Sequence, residues 1–154
     1  MTIFELALLA AALLCALVAG FLFAFAVVVM PGIGKLDDAG FLRAFQAIDG
    51  VIQRGQPLFG LVWLGSVVAV LAAAGLGASA LAGVDLAMVI AALALWVLGV
   101  QVPTFTVNIP LNNRVQRNEV SRQEFEPRWN RWNAFRTGCA TVATVLFLLV
   151  LLRV

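Results

Sequence analysis

The sequence predicts an all-α fold: a four-helix transmembrane bundle with an amphipathic interfacial helix between the first two spans. Three observations carry this. Of 154 residues, 63% are hydrophobic and only 12% are charged. A soluble core of this size does not need so much apolar surface, whereas a chain that is apolar toward both core and lipid does. Four stretches each reach the roughly 20 apolar residues that cross a bilayer. One segment between the first two stretches is apolar on one side only. The length fits a single integral membrane domain, residues 1–154.

The first span covers roughly residues 3–30. "MTIFELALLAAALLCALVAG" has no Lys or Arg ahead of its apolar run, and the run is too long for a signal peptide, so it is read as a retained helix. Met30-Pro31-Gly32 predicts a stop. The amphipathic helix covers roughly residues 38–54, with Asp37 or Asp38 as its cap. Phe41, Phe45, Ile48 and Ile52 share one face, Gln46, Asp49 and Gln53 form a polar stripe, and Arg43 and Arg54 lie on a third side. This pattern suits a plain interfacial helix or a lid whose stripe faces a pocket. The second span covers roughly 57–76 and the third roughly 85–109, joined by a short turn in "GLGASALAG"; the fourth covers roughly 133–152.

Lys35, Arg43 and Arg54 fall in the first loop, and Arg114, Arg117, Arg122 and Arg128 in the third. The positive-inside rule therefore places both loops in the cytoplasm and both termini outside, with a bacterial inner membrane as the expected location. The formal charge of +2 is scattered over loops, which excludes a nucleic-acid partner. The sequence has no His. The commonest metal ligand and the usual general base near neutral pH are thus missing, and neither a metal nor another cofactor is expected. Cys15 and Cys139 read as small buried hydrophobes rather than a disulfide.

Two spans carry polar residues that do not suit lipid. At helical spacing, Gln101, Thr104, Phe105, Asn108 and Asn112 share one face of "LWVLGVQVPTFTVNIPLNNRV", with Pro103 and Pro110 opposite. A buried polar group without a partner costs about 1–3 kcal/mol, so this face should point into the bundle or a wet cavity. In "RWNRWNAFRTG", Trp129, Trp132, Asn133 and Arg136 cluster on one side, while Arg128 and Arg131 fit headgroup contact. The third span ends where the fourth begins, so Asn108, Asn112 and Asn113 should meet Trp132, Asn133 and Arg136, with Gln46 and Asp49 nearby. Either these groups satisfy one another as a structural network, or they line a pocket for a flat, polar-edged organic molecule. Phe21 and Phe25 read first as core packing. Among the carboxylates, Asp49 is the best candidate for a general base or a counter-ion of Arg136.

"FQAID", "NIPLNN" and "RWNRWNAFRT", with the first-span ending "GFLFAFAVVVMPGIGKLDD", resemble in order and spacing the anthrone oxygenase-like family, small four-span membrane proteins. The resemblance covers nearly the whole chain. Asn108, Pro110, Asn112 and Asn113 match the third-span motif, Trp129, Trp132, Asn133 and Arg136 the fourth-span motif, and Gln46 the surface-helix motif. The position after Ile48 is commonly Asn in the family and is Asp49 here. The resemblance implies oxidation of an anthrone or quinol-like aromatic by molecular oxygen, without a cofactor. Arg136 and Asp49 would then be catalytic. Gln46, Gln101, Asn108, Asn112, Asn113, Trp129, Trp132 and Asn133 would bind substrate. The expected partners are membrane lipid and a hydrophobic aromatic small molecule, with a homo-oligomer left open. Two non-catalytic alternatives stand beside this: a lipophilic small-molecule binder and a structural membrane partner.

Overall fold

The computed structural model describes residues 1–154 as helices joined by short turns, without strands. Helix α1 (Ile3–Ile33) opens on a capping box in which Thr2 and Glu5 satisfy each other's backbone N–H groups. Helix α2 (Asp38–Gln53) is capped by the Asp37 carboxylate. Helices α3 (Pro57–Ala80), α4 (Gly83–Gln116) and α5 (Arg122–Leu151) follow. α1, α3, α4 and α5 are each long and apolar enough to cross a bilayer, and the chain is an integral membrane protein.

α1 packs against α3 and α5, and α5 also packs against α4. Leu8, Cys15, Val18, Leu22, Val70, Ala73, Val89, Trp96, Val100, Ala140 and Phe147 form the buried centre. Many of its contacts are made by small residues, which let helix backbones approach where no water drives association. Gly99 is the closest approach: a Cβ there would lie 2.6 Å from Cys139 Sγ and 2.7 Å from Cys139 Cβ. Outward rows such as Leu58, Leu61, Leu64 and Val68 are exposed, as a lipid-facing side should be. A second apolar cluster forms at the end that carries the first and third loops. Phe41 and Phe45 of α2 meet Leu111 and Val115 of α4 and Phe125 and Trp129 of α5, which docks α2 across that end.

The helices run farther than the sequence suggests. α1 passes through Met30-Pro31-Gly32 instead of stopping, α4 continues through Pro110 to Gln116, and α5 begins at Arg122. The turn before α4 is short because α3 stays helical through most of "GLGASALAG", and Gly83 supplies its positive φ of 58°. One device accommodates three of the prolines inside helices. Wide π-type stretches occupy Phe25–Val29, Leu95–Gln101 and Thr104–Asn108, two residues before Pro31, Pro103 and Pro110 respectively. The residue preceding each proline donates to the carbonyl five back: Met30 to Phe25, Val102 to Val97 and Ile109 to Thr104. Widening makes room for a ring that lacks an N–H and would crowd the carbonyl four back. It also shifts the phase of side chains. Pro103 is buried rather than opposite the polar face, and Phe105 turns outward, while Gln101, Thr104 and Asn108 stay inside.

Candidate functional site

All five helices contribute to one cavity of about 450 Å³ near the α2 end of the bundle. That size lies within the roughly 300–1,000 Å³ typical of small-molecule sites. Seven of its 20 lining residues are aromatic: Phe21 and Phe25 from α1, Phe45 from α2, Phe59 and Trp63 from α3, Phe105 from α4 and Trp129 from α5. The rings brace one another. Phe25 and Phe45 lie 5.6 and 5.5 Å from Trp129 between centroids, and Phe59 stacks on Trp63 at 5.5 Å. Phe21 and Phe25 therefore belong to the cavity wall as well as to the packing expected of them.

The inner end is cationic. Arg136 donates through Nη1 to Thr104 Oγ1 at 2.9 Å and through Nη2 to Asn133 Oδ1 at 3.0 Å. Asn133 in turn donates to the Leu22 carbonyl at 3.0 Å. The guanidinium carbon sits 5.9 Å from the Trp129 ring. Arg136 is 4% exposed, its Nε has no partner, and it pairs with no carboxylate. Also on the cavity wall, one turn along α4 from Thr104, Asn108 is 2% exposed, and both its Oδ1 and Nδ2 lack partners.

The outer end holds the carboxylate. Asp49 is buried and accepts three hydrogen bonds, on Oδ1 from Asn112 at 2.7 Å and on Oδ2 from Gln53 at 2.7 Å and Gln116 at 2.9 Å. Asn112 Oδ1 accepts from Trp129 Nε1 at 2.8 Å, and Gln53 also donates to Asn113 Oδ1 at 3.3 Å. Asp49 is thus held by amides and is no counter-ion of Arg136. A carboxylate offers about four acceptor positions, so one remains for a ligand.

Asp49, Asn108, Asn112, Asn113, Trp129, Asn133 and Arg136 all line the cavity. Gln46, Gln101 and Trp132 stand outside the lining. Gln46 donates to the Val115 carbonyl at 2.7 Å and to Asn118 at 2.9 Å, which fastens α2 to the end of α4. Gln101 accepts from Trp63 Nε1 at 3.1 Å and so fixes a wall residue from behind. Trp132 packs edge-on against the exposed Phe135 at 5.7 Å, away from the cavity. The α3 wall, Phe59, Gly60, Trp63 and Leu64, escaped the sequence reading because the one polar residue of the expected span 57–76, Ser66, is small and bonds the Trp63 carbonyl of its own helix, which marks an inner side only weakly. Gln116 escaped because α4 outruns its expected end.

A family model described as anthrone oxygenase matches residues 49–146. No curated protein and no solved structure matches the chain. The matched segment begins at Asp49 and takes in every lining residue outside α1 apart from Phe45. The chain belongs to the anthrone oxygenase family.

Proposed function

We propose that the cavity oxidises an anthrone-type aromatic with molecular oxygen and needs no cofactor to do so. One observation carries the reading: a buried Arg136 without a carboxylate shares one cavity with the unpartnered Asn108 and with Asp49. Their partners on α4, Thr104 and Asn112, are eight residues apart, about 12 Å of helix rise. An anthrone carries its carbonyl and its acidic CH₂ on opposite edges of the central ring. Held flat between the aromatic walls, it would direct the carbonyl oxygen to Arg136 and Asn108 and the CH₂ toward Asp49.

The steps balance without outside reagents other than oxygen. Asp49 removes one C–H proton, and Arg136 with the Asn108 amide stabilises the enolate oxygen that results. The enolate passes one electron to dioxygen, and the ring radical and superoxide combine into a C–O bond. Asp49 returns its proton to the peroxide. It then takes the second hydrogen of the same carbon as the O–O bond breaks. The carbon becomes a carbonyl and hydroxide leaves, protonated to water. The substrate loses two hydrogens and gains one oxygen atom.

An open cavity lined by the unpartnered Asn108 amide supports a ligand site over a closed structural network. The test is oxygen uptake by purified protein supplied with anthrone. Arg136→Ala should lower the rate by roughly 10²–10³, the usual loss when an oxyanion donor is removed. An unchanged rate would remove Arg136 from the mechanism. The end bearing α2 is assigned to the cytoplasm, from the Lys and Arg of the first and third loops. A reporter fused after Val154 that is active only outside the cytoplasm checks this, and an inactive fusion argues for the reverse orientation.

A further inference from the structure

We propose that this cavity is reached sideways from the bilayer, through a window between α3 and α4 framed by Gly60, Leu64, Phe105 and Ile109. Lipophilic aromatic molecules dissolved among the acyl chains are what pass through it. The inference rests on the cavity being an aromatic-binding site.

Leu64 and Phe105 line the cavity, yet they are 67% and 61% exposed. A side chain can do both only at an opening. Leu64 continues the outward row of Leu61 and Val68, so the opening faces lipid rather than water. The packing explains the gap. α3 meets α4 chiefly along Gly83–Ala94, and the Trp63–Gln101 hydrogen bond ties the two helices at mid-length. Beyond Gln101, a second wide turn and Pro110 carry α4 toward α2 and α5 instead.

Gly60 sits in the frame, and a Cβ built on it meets nothing within 4 Å. Its missing side chain leaves the window clear. The water end is obstructed by comparison, because Asp49, Gln53, Asn112, Asn113 and Gln116 are laced together across it and α2 is docked over them. The window itself is apolar, so it suits neutral ring systems, and the polar groups that would orient such a molecule lie behind it. A second apolar groove of about 480 Å³, between α2 and α3, shares Phe21, Ile52 and Phe59 with the cavity wall and is the competing route.

The probe is benzophenone dissolved in phosphatidylcholine vesicles containing the protein, flashed with light at intervals after mixing. Labelling of the buried lining residue Leu22 is read by mass spectrometry. In a Cys15→Ala, Cys139→Ala background, Leu64→Cys and Phe105→Cys are bridged across the window by a bifunctional thiol reagent that reductant releases. The bridge should slow Leu22 labelling by roughly an order of magnitude, and reductant should restore it, while Val51 in the groove labels equally throughout. Gly60→Phe should slow Leu22 labelling likewise. Undiminished Leu22 labelling in the bridged protein overturns the window and leaves the aromatic site standing. No Leu22 labelling in the unbridged protein overturns both.

Discussion

Asp49 shows how much of this site is held by amides. A buried carboxylate in a membrane protein usually faces a cation or a wet cavity. Here Asn112, Gln53 and Gln116 supply three N–H groups, and the cation stays at the far end of the cavity. Asp49→Asn keeps the size of the side chain but turns an NH₂ toward groups that also donate. Losing one of those bonds should cost about 1–3 kcal/mol of stability in detergent. Removing the base should lower anthrone oxidation by roughly 10²–10⁴. Oxidation at the parent rate would show that the proton is taken elsewhere. Asn108, Asn133 and Arg136 were legible as inward-facing because polar groups in apolar stretches must point inward, and Asp49 because it lies on the polar stripe of an amphipathic helix beside that end. That rule cannot find Phe59 or Trp63, because an aromatic residue in an apolar span fits either side.

At the scale of elements, the prolines separate expectation from structure. A Met-Pro-Gly or Ile-Pro-Leu sequence usually ends a helix in water, where solvent takes up the freed backbone groups. Within lipid no water is available, and a widened turn that keeps the chain helical costs less than exposed N–H and C=O groups. The prolines therefore mark where α1 and α4 are irregular, and the ends expected near residues 30 and 109 fell short in both helices. Helical projection also misjudged the face of Pro103, since a fixed angle per residue fails across a wide turn, whereas Phe105 lines the cavity from its exposed edge. Where the helix is regular, as in α5, projection placed Trp129, Asn133 and Arg136 on the cavity side but wrongly set Trp132 with them. The most constrained contact between elements is Gly99 against Cys139. Gly99→Ala would force α4 and α5 apart and should destabilise the bundle by about 1–3 kcal/mol, read as a lower melting temperature in detergent. Cys139→Gly in the same chain should recover most of the loss. Equal stability of Gly99→Ala and the parent would show that the helices do not approach as closely as 2.6 Å implies.

For the whole molecule, composition alone fixes the class, since four long apolar stretches in 154 residues admit little besides a small bundle. The cavity was less legible. It arises because α3 follows the first part of α4 while the rest of α4 turns toward α2 and α5, and such divergence depends on which apolar rows meet. The result is an aromatic chamber with a cation at one end and a carboxylate at the other, inside a membrane protein of the anthrone oxygenase family. The most direct measurement uses the protein in phosphatidylcholine vesicles, anthrone as substrate and ¹⁸O₂ as the gas. Anthraquinone carrying a single ¹⁸O atom should form at one quinone per oxygen molecule consumed, well above the rate in protein-free vesicles. Quinone formation no faster than in protein-free vesicles would contradict the proposed reaction.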